Sequence, residues 1–219
     1  MEFTNIQEQE SMLQKAYRYA KDIHMGQTRR RNGASAFDTH VMGVVQILRG
    51  VTNDEAIISA GYLHDTIEEC VPYGSVTKDI LAREFNTDIA EIVSDLTDPD
   101  TRTHSWKARK QAVLDRIPSM RKGSLLVKSA DVLYNLQDTI SALQENPSTA
   151  FTIFHASKSD VIKHYKKIIM ILGKTWQENP LLPKLQTELA SFLVLAQPHE
   201  VDIKRSSIPV VLAPSHTVA

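Results

Sequence analysis

Apolar positions recur at three- and four-residue intervals along most of this chain, the spacing of amphipathic helices. Met12, Leu13, Ala16, Tyr17, Ala20 and Ile23 predict a first helix within 8–25. Val41, Val44, Val45, Ile47 and Leu48 predict a second over 37–48, with His40 near its start. Thr52-Asn53-Asp54-Glu55 has the form of a capping box and opens a third helix, which runs through His64 and Asp65 to the stop at Pro72, Tyr73 and Gly74. Two short helices follow over 77–85 and 88–96, then a turn at Thr97-Asp98-Pro99-Asp100 and an exposed, charged helix over 105–117. Leu125, Leu126, Val127, Ala130, Leu133, Leu136, Ile140 and Leu143 mark a long helix closed by Asn146-Pro147-Ser148. An interrupted helical region spans 151–176, and a last amphipathic helix spans 181–196. From Pro198 onward no helical pattern is sustained. That segment reads as an extended tail offering Ile208, Val210, Val211 and Leu212 to a neighbouring surface. No stretch alternates convincingly with a period of two, and no repeat stands out. The fold expected is all-α.

Composition narrows the class. The 219 residues are enough to bury a real core in one domain. With 25 basic against 26 acidic residues the net charge is −1, so no general attraction to nucleic acid or to a membrane is expected. Cys70 stands alone, which excludes an intramolecular disulfide and suits a reducing compartment. The first residues lack the basic and apolar regions of a signal peptide, and no apolar run approaches a membrane span. A soluble, cytoplasmic protein is expected, with its oligomeric state left open.

Chemistry concentrates in Ala60-Gly61-Tyr62-Leu63-His64-Asp65-Thr66-Ile67-Glu68-Glu69. On one continuous helix, His64, Asp65, Glu68 and Glu69 would crowd a single side. Three carboxylates that close repel one another unless a cation neutralises them, and imidazole with carboxylate suits Mn, Fe, Zn or Ni. The same stretch also fits a helix end whose acids face water. Arg29, Arg30 and Arg31 form a basic loop broken by Gly33, either a solvated surface or a clamp for phosphate oxygens. Asp131 interrupts an apolar helix and needs an arginine, a backbone donor or a metal as partner. His155 and His164 read as packing or surface residues.

Ordered along the chain, His40, His64-Asp65 and Asp131 resemble the H…HD…D signature of HD-domain metal-dependent phosphohydrolases. The flanking segments HMGQTRRRNG, FDTH, AGYLHDTIEE and LVKSADVLYNL are similar to the hydrolase domain of the RelA/SpoT homologue family, from about Gln14 to about Leu143. The resemblance is to its stand-alone small alarmone hydrolases. It implies an HD-domain bundle over 1–178, with 179–219 as an added helix and tail. It implies that His40, His64, Asp65 and Asp131 hold one Mn²⁺. It implies a guanine-nucleotide substrate, guanosine tetra- or pentaphosphate, losing its 3′-diphosphate as pyrophosphate. Glu68 would orient or deprotonate the attacking water, with Glu69 as its partner. Arg29, Arg30, Lys128, Tyr134 and Asn135 would line the nucleotide site.

Four departures from the family pattern stand out. Glu69 replaces a common Asp, Val41 replaces a common Pro, Phe37 replaces a common Tyr, and one extra residue separates Gly33 from His40. Alternatives are a related phosphohydrolase acting on another nucleotide such as NADPH, and a nucleotide-binding regulator that has lost turnover.

Overall fold

The computed structural model describes residues 10–29, 31–100 and 102–197. Its helices are α1 (Met12–Ile23), α2 (Met42–Arg49), α3 (Glu55–Leu63), α4 (Thr66–Glu69), α5 (Lys78–Glu84), α6 (Thr87–Leu96), α7 (Trp106–Arg116), α8 (Lys122–Glu145), α9 (Lys158–Thr175) and α10 (Leu182–Leu195). Most of the expected helices appear close to their predicted places. Side chains fix several of their starts: Ser11 with Gln14 forms a capping box on α1, and Asp54, Thr77, Asn86, Ser105 and Ser157 each accept a first-turn N–H. The cap of α3 is therefore Asp54. Thr52 instead uses its hydroxyl to accept from the Asp54 N–H.

The bundle is organised around α8, which packs against α2, α3, α6, α9 and α10. Its Leu126, Val127, Ala130, Leu133 and Leu136 are buried, and each buried Leu or Val contributes roughly 1.5–3 kcal/mol of hydrophobic stabilisation. Two polar side chains are paired within this core: Ser129 Oγ donates to the Leu125 carbonyl, and Asn179 Nδ2 donates to Ser129 Oγ. Asn179 Oδ1 also accepts the Leu181 N–H, which fixes the entry of α10 against α8. Leu185 and Phe192 of α10 are fully buried.

Two features bring the chemistry together. At Gly61 a Cβ would collide with Leu48 Cδ1, so the missing side chain lets α3 cross α2 closely, one turn before His64. Ahead of α2, Phe37–Val41 forms a single π turn containing His40. Such wide turns are frequent at functional sites, and this one precedes a continuous α-helical run into α2.

The expected single helix through His64 to Glu69 is corrected. α3 ends at Leu63, His64 and Asp65 form a turn, and α4 restarts at Thr66. The charged helix α7 is also less exposed than its composition suggests, because Arg109 is mostly buried beside Asp98. The expected tail after Pro198 lies outside the described residues. No helix among the described residues is long and apolar enough to cross a membrane.

Candidate metal centre and active site

His40 from the π turn and His64 from the end of α3 meet with their Nε2 atoms 3.0 Å apart. Asp65 brackets the pair: its Oδ2 lies 3.1 Å from His40 Nε2, and its Oδ1 lies 3.1 Å from His64 Nε2. Asp131 of α8 lies further off, with Oδ1 3.7 Å from His40 Nε2. Among the described residues, His40, His64 and Asp65 bring one ligand atom each within 4.8 Å of one another.

His64 is oriented for coordination. Its Nδ1 sits 2.8 Å from the Gly61 carbonyl, which can only accept, so Nδ1 carries a proton and Nε2 is the ring nitrogen turned to the cluster. Burial alone would push His64 down, but Asp65 outweighs it and raises the imidazole to about 9. Burial likewise opposes charge on Asp65, yet His64 holds it well below the usual carboxylate range. Two imidazole nitrogens and the Asp65 carboxylate form a donor set that fits a borderline divalent cation, with Asp131 outside this group of three but beside His40.

Asp131 finds the partners its burial demands. Lys128 Nζ donates to its Oδ2 at 3.0 Å, and Asn135 Nδ2 donates to its Oδ1 at 2.5 Å. Asn135 Oδ1 in turn accepts from Arg29 at 3.3 Å, so a polar chain runs from the basic loop to the cluster. Arg29 and Arg31 both reach Asp138, and Arg31 also reaches Glu145. Arg30 lies outside the described residues.

The break after Asp65 sends Glu68 elsewhere. Its Oε1 accepts the Asp98 N–H at 2.5 Å. Burial, then the charges of Asp98 and Asp65, push its carboxyl up to about 7, a value suited to proton transfer near neutral pH. Glu69 is exposed and lines the same cavity, while its carbonyl accepts from Gln27. This cavity, about 950 Å³, has His40, Asp65, Asp131, Glu68 and Glu69 on its surface together with Arg29, Lys128 and Asn135. Tyr134 lies away from the lining. Its ring packs edge-on against His40 at 5.0 Å and occupies the space a Cβ at Gly43 would need.

The HD domain family matches residues 16–155. The guanosine-3′,5′-bis(diphosphate) 3′-pyrophosphohydrolase MESH1 of Xenopus tropicalis is 31% identical over 130 residues, covering 58% of this chain and 69% of that one. The human MESH1 is 31% identical over 131 residues with the same coverage. The chain belongs to the HD-domain family. A solved structure titled as a metazoan ortholog of SpoT that hydrolyzes ppGpp superposes with a TM-score of 0.65 at 22% identity, over 85% of this chain and 96% of that one. A Listeria monocytogenes structure superposes at 0.60 and 21% identity, over 72% and 98%. Both show the same fold.

The HD-domain cavity also contains residues that the sequence did not mark. His24 is buried with Nδ1 2.8 Å from the Ala20 carbonyl, and its Nε2 has no partner among the described residues. Asp98, expected only in a turn, is buried and accepts from Lys110 at 2.7 Å and Arg109 at 3.4 Å. His155, which is exposed, and His164, which packs against Trp106, both line the HD-domain cavity. A local signal existed for Asp98 alone: an acid eleven and twelve residues before two cations. The histidines carry none, because their position depends on how α1 and α9 pack.

Proposed function

We propose that this HD-domain protein hydrolyses the 3′-diphosphate of guanosine tetra- or pentaphosphate, releasing pyrophosphate and GDP or GTP. The observation that carries the reading is the cluster of His40, His64 and Asp65, with Asp131 3.7 Å from His40, beside a cavity that also holds Glu68. The names of the similar proteins support the choice of substrate. These four side chains would hold the metal, with Mn²⁺ as the proposed ion. When bound, a divalent cation supplies Lewis acidity, acidifying water and neutralising charge on phosphoryl oxygens.

The chain's own groups do the rest. Glu68, held by the Asp98 N–H, takes a proton from the attacking water. Its raised carboxyl value lets it release that proton again near neutral pH. The bond broken joins the ribose 3′-oxygen to phosphorus, the bond formed joins the water oxygen to the same phosphorus, and the departing 3′-oxygen takes up the proton that Glu68 releases. Lys128 and Asn135 hold Asp131 and offer donors beside the reacting phosphate. Arg29, with Arg30, would face the nucleotide, since guanidinium forks match phosphate oxygens. Glu69, on the same cavity surface, would support Glu68. Tyr134 acts through His40 rather than by touching substrate.

The test is turnover. Purified protein with Mn²⁺ and guanosine tetraphosphate should yield GDP and pyrophosphate, and should yield neither with a chelator or in Asp65→Ala. Metal retention without turnover would remove this substrate from consideration. NADPH and other phosphorylated nucleotides would be tried next, and silence on all of them would point to a binding regulator.

A further inference from the structure

Within the cavity, α8 orders the polar groups along its length. Lys128, Asp131 and Asp138 follow one another, and at about 1.5 Å per residue the first and last are roughly 15 Å apart, with Asp131 of the metal floor between them. Each end is cationic. At the Asp138 end stand Arg29 and Arg31. At the Lys128 end stand Arg109 and Lys110 of α7, gathered around Asp98.

The two ends are balanced differently. Arg29 and Arg31 meet two carboxylates, Asp138 and Glu145. Arg109 and Lys110 share the single carboxylate of Asp98, and the buried Arg109 Nε has no acceptor among the described residues. Lys128, which also acts on Asp98, is engaged by Asp131. At the α7 end two cations thus share one directly bonded carboxylate, an excess of donors over acceptors.

His164 of α9 senses that excess. Burial, then Lys110 and Lys128, push its imidazole down to about 3, against the opposing pull of Asp98 and Asp131. It is neutral, and its buried Nδ1 has no partner among the described residues. Trp106 covers it edge-on at 5.6 Å. A wall with surplus cations, an unpaired guanidinium N–H, a neutral imidazole and an indole suits an anionic group joined to an organic body.

We propose that Arg109 and Lys110 form a second anion site, which takes the 5′-diphosphate while the metal floor engages the 3′-diphosphate. The inference deepens the hydrolase reading and rests on it for the choice of nucleotide. A substrate with a diphosphate on each side of one ribose matches a floor flanked by cations. The site selects nucleotides phosphorylated at both positions over those phosphorylated at one.

GDP is a suitable probe because it carries the 5′-diphosphate and has no 3′ group to hydrolyse. Calorimetric titration of the Mn²⁺-loaded full chain with GDP and with guanosine would be compared in wild type, Arg109→Met, Lys110→Met and Arg109→Lys. Each methionine variant leaves Asp98 one cation, so no buried carboxylate is stranded. Wild type should bind GDP more tightly than guanosine, and each methionine variant should lose about ten- to a hundredfold in GDP affinity. Guanosine binding should not change, and Arg109→Lys should recover part of the loss. GDP affinity that is the same in all four proteins, or no better than that of guanosine, overturns the site. GDP binding through Arg109 without tetraphosphate turnover leaves the site standing and removes the hydrolase reading. Turnover with GDP binding indifferent to Arg109 does the reverse.

Discussion

At the cavity floor, His40, His64 and Asp65 leave the ends of packed helical segments, and both histidines are almost wholly buried. At the rim, Arg29 and Arg31 leave a loop and are held by ion pairs with Asp138 and Glu145, whose carboxylates are 17% and 67% exposed. A group on a helix end inside a close-packed core has little freedom, so its geometry is set before any ligand arrives. A guanidinium tied to a partly hydrated carboxylate can re-pair at small cost. The difference assigns rigid chemistry to the floor and adaptable recognition to the rim. It also ranks what substitutions should do.

The largest effect is expected at the floor. Asp65→Asn removes the charge that brackets both histidines. It should abolish retention of Mn²⁺ through gel filtration and lower turnover by at least about 10²-fold. A ligand that binds only the folded state raises the melting temperature, so added Mn²⁺ should raise it in wild type and not in this variant. Metal content equal to wild type would mean that the floor is not the metal centre.

Glu68→Gln comes next and separates chemistry from metal binding. Turnover should fall by about 10²–10⁴-fold with Mn²⁺ content intact. The wild-type rate should decline as pH falls through about 7, and the variant should lack that limb. Stability should move the other way. A carboxyl raised from 4.5 to about 7 by folding contributes stability that is fully present below 4.5 and is lost as pH rises through about 7. The glutamine variant should therefore melt above wild type at pH 8, with the gap closing towards pH 4.5. An unchanged pH–rate profile would assign proton transfer to another group.

Tyr134→Leu probes the packing beneath the floor. Loss of the ring beside His40 should weaken Mn²⁺ binding by about tenfold, the lower end of what supporting residues contribute. Unchanged affinity in a Mn²⁺ titration would reduce Tyr134 to filling the space above Gly43.

How much of this could be read from the chain follows the same division. Helix periodicity anticipated α1, α2, α5, α6, α8 and α10, because each buries a stripe along its own length. His40, His64-Asp65 and Asp131 stand out as a motif along the chain, and the structure brings the first three together. The break between α3 and α4 was not legible. Nothing local marks where the helix yields to the turn at His64 and Asp65, and the result is that Glu68 reaches Asp98 instead of joining the ligands. The burial of Asp98 among Arg109, Lys110 and Lys128, and the place of His24 and His164 in the cavity, depend on how distant helices pack. A charged stretch such as 105–117 looks solvated until the acid it covers is located.

The smallest effect is expected at the rim, where Asp138→Asn gives the sharpest test of adaptability. Arg29 and Arg31 would lose the acid they share, and partly exposed pairs of this kind contribute about 0.2–1 kcal/mol, so the fold should lose no more than about 1 kcal/mol in urea unfolding. The substrate is anionic, so removing a carboxylate from its approach should favour binding. At the separations and hydration of this rim one charge is worth about 1 kcal/mol, and KM should fall by roughly two- to fivefold at low salt. The advantage should shrink as ionic strength rises and screening reaches these distances. A rise in KM at all salt concentrations would show that Asp138 orients the guanidinium forks rather than merely neutralising them. The rim would then be as preorganised as the floor.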